Sequence, residues 1–250
     1  MSGHSKWSTI KRKKAATDAK RGKIFTRLAR EISVSAREGG GDPETNFRLR
    51  LAIDKAKAEN MPKDNIERAI LRGTGGGKDD ELEEITYEGY APYGVALLVQ
   101  VLTDNRNRTV AEVRHVFSRH GGSMSEAGAV AWQFDRKGYI AVEPDGIDSD
   151  QIFEYAVEAG ADDVIFGDDM IEIYTSPNDF QTVQETLEAT GVEFSTTELA
   201  MVPKATLKLA RDEAFKVMRV IEALEDLDDI QQVYSNLDIS DELMDQYEDL

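Results

Sequence analysis

A chain of 250 residues with 40% hydrophobic and 8% aromatic side chains can bury a real core, in one large domain or two to three small ones. It has no cysteine, which excludes disulfides, thiolate metal sites and cysteine nucleophiles and fits a reducing, cytoplasmic setting. No apolar run approaches the roughly 18 residues that a membrane span needs, and a formal net charge of −18 argues at first against a polyanionic partner.

The distribution of charge reverses that argument. Residues 1–78 carry 19 Lys+Arg against 9 Asp+Glu, whereas residues 79–250 hold 11 basic and 39 acidic groups, a net of −28. Residues 1–30 alone hold ten basic side chains and one acid, Asp18. Such asymmetry marks an interaction arm on an acidic body. Phosphate answers local charge within about 8–10 Å, not the charge of the whole molecule. The basic start lacks the apolar block of a secretory signal. A mitochondrial transit peptide shares the Arg-rich, acid-poor bias, but this stretch runs straight into a helical pattern without a cleavage boundary.

In chain order, Ile24, Phe25, Leu28, Ile32 and Val34 follow helical spacing between Lys20 and Arg37, with Lys20, Lys23, Arg27 and Arg30 largely opposite. Gly39-Gly40-Gly41 ends that segment. Asp42-Pro43 predicts an N-cap and first helical position, opening a helix from Pro43 to Glu59 with Phe47, Leu51 and Ala52 inside. Pro62 opens a third helix that stops at Gly73, with Ile66, Ala69 and Ile70 inward. Strands follow at Glu84–Tyr87 and Val95–Leu102, the second apolar enough to be central. A helix spans Asn107–His120, with Val110, Val113, Val116 and Phe117 inward, and Ala129–Phe134 reads as a strand. Strands and helices at Tyr139–Val142, Ser149–Glu158, Asp163–Phe166, Met170–Tyr174, Asp179–Thr190 and Thr197–Val202 give the order βαββαβ, a ferredoxin-like unit. A helix at Asp212–Leu224 and a strand at Asp229–Ser235 complete the earlier, interrupted unit. The expected class is α+β: a helical bundle followed by two mixed α/β domains, the third inserted in the second. The expected boundaries are 1–78, then 79–135 with 205–250, with 136–204 as the insertion.

The leading signal for function is the set Lys6, Lys11, Arg12, Lys13, Lys14, Lys20, Arg21, Lys23, Arg27 and Arg30. Lys and Arg neutralise phosphates and release condensed counterions, which favours binding without sequence preference. The plainer reading is a solvated helix face, or an arm docked on the chain's own acidic body. Trp7, beside Lys6 and following His4, either stacks on an unpaired base or pins the arm to the bundle. Arg106 and Arg108, in Asp104–Thr109, either meet phosphate or pair with carboxylates, and Asn107 is placed to cap the helix there.

Other motifs are weaker. Gly73–Lys78 fails as a phosphate loop, because Arg72 and Asp79 stand where glycine and Ser/Thr are required, and it reads as a flexible linker. Asp79–Glu84, Asp162-Asp163 and Asp168-Asp169 lack calcium-loop spacing. Nothing calls for a cofactor, a metal or a small-molecule substrate. Eleven acids and no bases between Glu222 and Leu250 form a tail that is either solvated or docked on the basic arm.

Gly3-His4-Ser5-Lys6-Trp7, Ala19–Thr26, Gly39-Gly40-Gly41-Asp42-Pro43, Tyr87-Glu88-Gly89-Tyr90 and the run Asp104–His115 together resemble the YebC/PmpR family. The resemblance covers nearly the whole chain, the acidic tail being the one large departure. It implies three domains, a helical one and two mixed ones with the third inserted in the second. It also implies a nucleic-acid-facing surface at His4, Lys6, Trp7 and Lys20–Lys23, and transfers no role to Asp104–Arg108. Family members are labelled transcriptional regulators that bind promoter DNA. Mitochondrial members activate translation of cytochrome oxidase, and bacterial ones are viewed as ribosome-associated factors that ease synthesis through proline-rich stretches. Three functions therefore compete: a ribosomal RNA-binding translation factor, a DNA-binding transcriptional regulator, and an enzyme or sensor. The last has least support, since no nucleophile, base and orienting group come together. The first is favoured because no helix-turn-helix signature accompanies the lysine-rich arm, which suits shape and phosphate.

Overall fold

The computed structural model describes residues 18–75, 82–144, 148–167 and 170–248. Two compact units emerge. One is residues 135–202; the other takes up the described chain on both sides of it.

The larger unit begins with helices α1 (Asp18–Gly39), α2 (Phe47–Ala58) and α3 (Lys63–Thr74). Leu28, Ile32 and Ala36 of α1 meet Leu49, Ala52, Ile53 and Ala56 of α2 and Ile66 and Ala69 of α3, in a core of their own. The second helix differs from expectation at its start and in its facing. Asp42 instead closes a turn, accepting from the Glu44 backbone N–H at 3.0 Å. The N-cap is Asn46, whose Oδ1 accepts from Leu49 N at 3.0 Å. Its Nδ2 donates to the carbonyls of Ser35 and Gly40, 2.8 Å each. Phe47 and Leu51 are consequently only half-buried. A Cβ on Gly39 would lie 2.6 Å from the Asn46 amide, so this glycine makes room for the cap.

The same unit continues as an antiparallel sheet of β1 (Glu83–Tyr90), β2 (Ala96–Thr103), β3 (Ser123–Ser125) and β8 (Ile230–Ser235), in the order β3-β1-β2-β8. Strand β2 is central, as its continuous apolar run predicts, and β8 pairs it from Leu97↔Ser235 to Val101↔Ile230. Helices α4 (Arg106–Arg119) and α7 (Arg211–Glu225) supply Val113, Phe117, Val217, Met218 and Ile221 to its core. The strand expected over Ala129–Phe134 does not form: residues 129–133 lie outside any strand, and Phe134 opens the next one. A single 3-10 turn runs over Ala131–Gln133, and the strand beside β1 is Ser123–Ser125, which lacks the branched residues that signal one.

The tail beyond β8 is not simply solvated. Helix α8 (Asp241–Glu248) buries Met244 and Tyr247 in the sheet's core. Tyr247 meets the Phe215 ring edge-on at 5.3 Å, and its hydroxyl donates to Glu222 at 3.0 Å.

The other unit holds β4 (Phe134–Val142), α5 (Ser149–Glu158), β5 (Ala161–Phe166), β6 (Ile171–Thr175), α6 (Phe180–Ala189) and β7 (Phe194–Pro203). Its sheet order, β5-β6-β4-β7, is the ferredoxin-like arrangement that the βαββαβ reading predicts. The fold is thus mixed α/β, a helical N-terminal part followed by two antiparallel sheets. Among the described residues no helix is long and apolar enough to cross a membrane.

Candidate nucleic-acid interface

The basic face of α1 divides along its length. Arg21 is exposed and makes no ion pair with another described residue. The next three cations are engaged by the acidic turn that follows α7. Lys23 Nζ donates to the Asp226 carbonyl at 3.1 Å and lies 3.4 Å from the Asp228 carboxylate. Arg27 donates to the Glu225 carbonyl at 2.8 Å. Burial depresses this guanidinium's pKa, with Glu225, Asp226 and Asp228 opposing. Arg30 reaches the Asp229 carboxylate at 2.9 Å and the Asp228 carbonyl at 3.2 Å. These carbonyls close the C-terminal end of a helix, where the peptide dipole favours cations. Lys23, Arg27 and Arg30 thus tie α1 to the acidic part of the same unit, Lys23 with half of its side chain still exposed. His4, Lys6, Trp7, Lys11, Arg12, Lys13 and Lys14 lie outside the described residues, and Lys20 is placed by its backbone in the first turns of α1.

Asp229 organises this seam. Its side chain is 2% exposed and accepts from Arg108 at 2.6 Å, Thr109 at 2.7 Å and Thr103 at 3.1 Å, besides Arg30. The run Asp104–Thr109 thereby acquires a role. Asn105, not Asn107, caps α4, accepting from Arg108 N at 3.1 Å. Arg108 bridges Asp104 and Asp229, and Thr109 turns inward to the same carboxylate. Arg108 is thus committed to carboxylates, the alternative to phosphate. Arg106 stays exposed and acts electrostatically on the buried Tyr87 phenol, which burial pushes above its ordinary pKa. Pairing between residues more than 100 positions apart leaves no local mark in a sequence, so Asp229 could not be singled out there.

A second buried carboxylate lies in Tyr87-Glu88-Gly89-Tyr90. Glu88, 6% exposed, accepts from the backbone N–H of Gly128 and Val130 at 2.7 Å and of Ala131 at 2.9 Å. Gly89 has no room for a Cβ, which would sit 2.6 Å from the Ser123 carbonyl and 2.8 Å from Phe117.

Burial alone would raise both carboxyls. At Asp229 the Arg108, Thr109 and Thr103 donors outweigh it, and at Glu88 the three backbone donors do, so both pKa values lie below the ordinary range. The stabilisation is fully present above the unfolded value of about 4 and is lost as pH falls through the lower folded values. Urea unfolding across this range should show stability dropping below about pH 4, with a shallower drop in Asp229→Asn and Glu88→Gln. An equal drop in both variants would contradict the assignment.

Among the described residues no group of His, Cys, Asp and Glu is arranged to hold a metal ion. Three helices, the first tied by Lys23, Arg27 and Arg30 to the turn after α7, a four-stranded antiparallel sheet, and a second antiparallel unit between the sheet's strands in sequence define a mixed α+β class. Residues 5–76 match the TACO1/YebC protein N-terminal domain, and residues 82–237 match the TACO1/YebC second and third domain. The chain belongs to the TACO1/YebC family. A probable transcriptional regulatory protein of Trichlorobacter lovleyi is 58% identical over 240 residues, covering 96% of this chain and 97% of the relative. One of Acidithiobacillus ferrooxidans is 57% identical over 244 residues, covering 98% and 97%. The crystal structure of a conserved hypothetical protein from Aquifex aeolicus superposes with a TM-score of 0.83 at 47% identity, covering 91% of this chain and 94% of that one.

Proposed function

We propose that this chain is a non-enzymatic, nucleic-acid-binding regulator of gene expression that works in the cytoplasm at ribosomal RNA, easing translation through proline-rich stretches. The observation that carries it is the division of basic residues near Arg21. Residues 1–21 hold seven Lys+Arg against Asp18, while the cations just beyond are taken by the body's own acids. The seam accounts for the second set, and Arg21 makes no ion pair with another described residue. His4, Lys6, Trp7, Lys11, Arg12, Lys13, Lys14, Lys20 and Arg21 are the proposed contact residues. A lysine-rich segment without a helix-turn-helix signature in its sequence suits phosphate and shape better than base-edge reading. The second reading, a DNA-binding transcriptional regulator, is favoured by the name its relatives carry.

Deleting Ser2–Arg21 should abolish oligonucleotide binding while leaving the melting of the body unchanged, because the seam starts at Lys23. If the segment neutralises about five phosphates, log K falls against log salt with a slope of roughly −3.5 on single strands and −4.5 on duplex. A slope near zero rules out the electrostatic mechanism. Sucrose-gradient sedimentation separates the two readings. Co-migration with ribosomes that survives removal of DNA supports translation, and recovery only with chromosomal fragments supports transcription.

A further inference from the structure

Trp132 is 66% exposed, unusual for so large an apolar side chain. Its presentation is built rather than incidental. The indole Nε1–H donates to the Ala129 carbonyl at 3.0 Å, so the ring's one polar atom is satisfied within its own loop and its faces remain for contact. The loop is held from beneath by Glu88, whose buried carboxylate spends all three of its bonds on Gly128, Val130 and Ala131. Tyr90 adds a fourth tie, its hydroxyl donating to the Ala129 carbonyl at 3.3 Å. Its neighbours along the chain include Ala127, Gly128, Ala129 and Ala131, none with an atom beyond Cβ. The backbone N–H of Lys204 donates to the Gln133 carbonyl at 2.8 Å, which sets an exposed lysine residue beside Gln133, the residue that follows Trp132 in the chain. A buried charge used to fix a loop of minimal side chains around one outward indole makes little sense for packing alone, since the indole packs into no core.

We propose that Trp132 is a stacking platform for an unpaired nucleobase, held in place by Glu88 and separate from the N-terminal basic segment. Every base has a π-face, so such a platform accepts single strands of any sequence. A rigid aromatic loses little conformational entropy on contact, and Lys204 favours the adjoining phosphate. The inference rests on the reading of the chain as nucleic-acid-binding and adds to it a second point of contact. Glu88 is the positioning residue: glutamine in its place keeps one acceptor but turns an N–H₂ group toward backbone donors.

The test uses the full chain labelled with 5-fluorotryptophan. With two tryptophans it gives one fluorine resonance each for Trp7 and Trp132, assigned by the loss of one in Trp132→Phe. Titration with single-stranded octauridine should shift the Trp132 resonance at the concentrations where the anisotropy of labelled octauridine reports binding. A blunt-ended duplex should leave it in place. Trp132→Ala should weaken octauridine binding about five- to hundredfold, the span of one base–aromatic stack. Trp132→Phe should restore most of it, and the melting midpoint should hold. Glu88→Gln should weaken binding in the same direction. Octauridine binding that moves only the Trp7 resonance, with Trp132→Ala binding normally, overturns the platform and leaves the proposed function standing. No octauridine binding at all overturns both. Normal octauridine affinity in Trp132→Ala combined with lost ribosome co-migration overturns it in favour of a protein partner.

Discussion

Asp229→Ala is expected to destabilise the larger unit by about 3 kcal/mol, the lower end for breaking a buried charge network. In a chain of this size that lowers the melting midpoint by roughly 6–12 °C. The carboxylate is almost wholly buried and receives two guanidinium groups and two threonine hydroxyls. Its removal takes a buried acceptor from Thr103 and Thr109 and the carboxylate partner from Arg30, and leaves Arg108 with Asp104 alone. Those arginines keep partial access to water, 24% and 42% at the side chain, which is why the upper end of the range is not expected. Arg30→Ala removes one spoke and should cost less. The double variant should be less destabilised than the sum of the singles, because both lose the same contact. Protease cleavage within α1 should accelerate in Asp229→Ala, since Arg30 is one of the ties holding α1 to the acidic turn. Unchanged melting together with unchanged cleavage would show that the seam is ornamental.

Gly73→Ala is the second large effect, and its sign opposes helix propensity. Alanine in a helix interior is favoured over glycine by about 1 kcal/mol. At Gly73, however, a Cβ would lie 2.1 Å from the Ser33 carbonyl oxygen and 2.9 Å from the Ala36 Cβ. The obstacle is backbone, so α1 and α3 must move apart, disturbing Leu28, Ile32, Ile66 and Ala69 together. Overpacking of about 3 kcal/mol or more outweighs the propensity gain, leaving a net loss of about 2 kcal/mol. Gly22→Ala is the matched control. Gly22 lies in α1 with nothing within 4 Å of a would-be Cβ, so that variant should gain about 0.5–1 kcal/mol. Chemical denaturation of the pair decides the matter: equal signs would contradict the packing argument.

The position of Gly73 also shows where reading a sequence stops. Glycine beside Gly75, Gly76 and Gly77 looks like a helix stop and a linker. Only the approach of α1 makes it a packing position in the last turn of α3. The cap of α2 failed for a related reason. Asp42-Pro43 is a sound local signal, yet Asn46 makes hydrogen bonds to Ser35 and Gly40 as well as to its own helix, and those distant carbonyls set the start. The acidic stretch after Glu222 has no helical stripe strong enough to announce α8, because Leu243, Met244 and Tyr247 are the few apolar residues it sends to the core.

Elements with full periodicity were legible from the residues alone. Strand β2 is continuous and apolar because both its faces are covered, and α5 carries its own cap at Asp148. The βαββαβ order likewise follows from alternating periods of 2 and 3.6. The charge asymmetry between residues 1–78 and the rest is wholly a property of the sequence. What the tertiary structure decided is which basic residues are occupied. Lys23, Arg27, Arg30 and Arg108 look in sequence like any other basic residues of the chain, and only partners far away in sequence, Asp229 and the turn that leads to it, show that these four are engaged by the fold. A charge makes its interaction through space with whatever lies within a few ångströms, and neighbours of that kind are chosen by the fold.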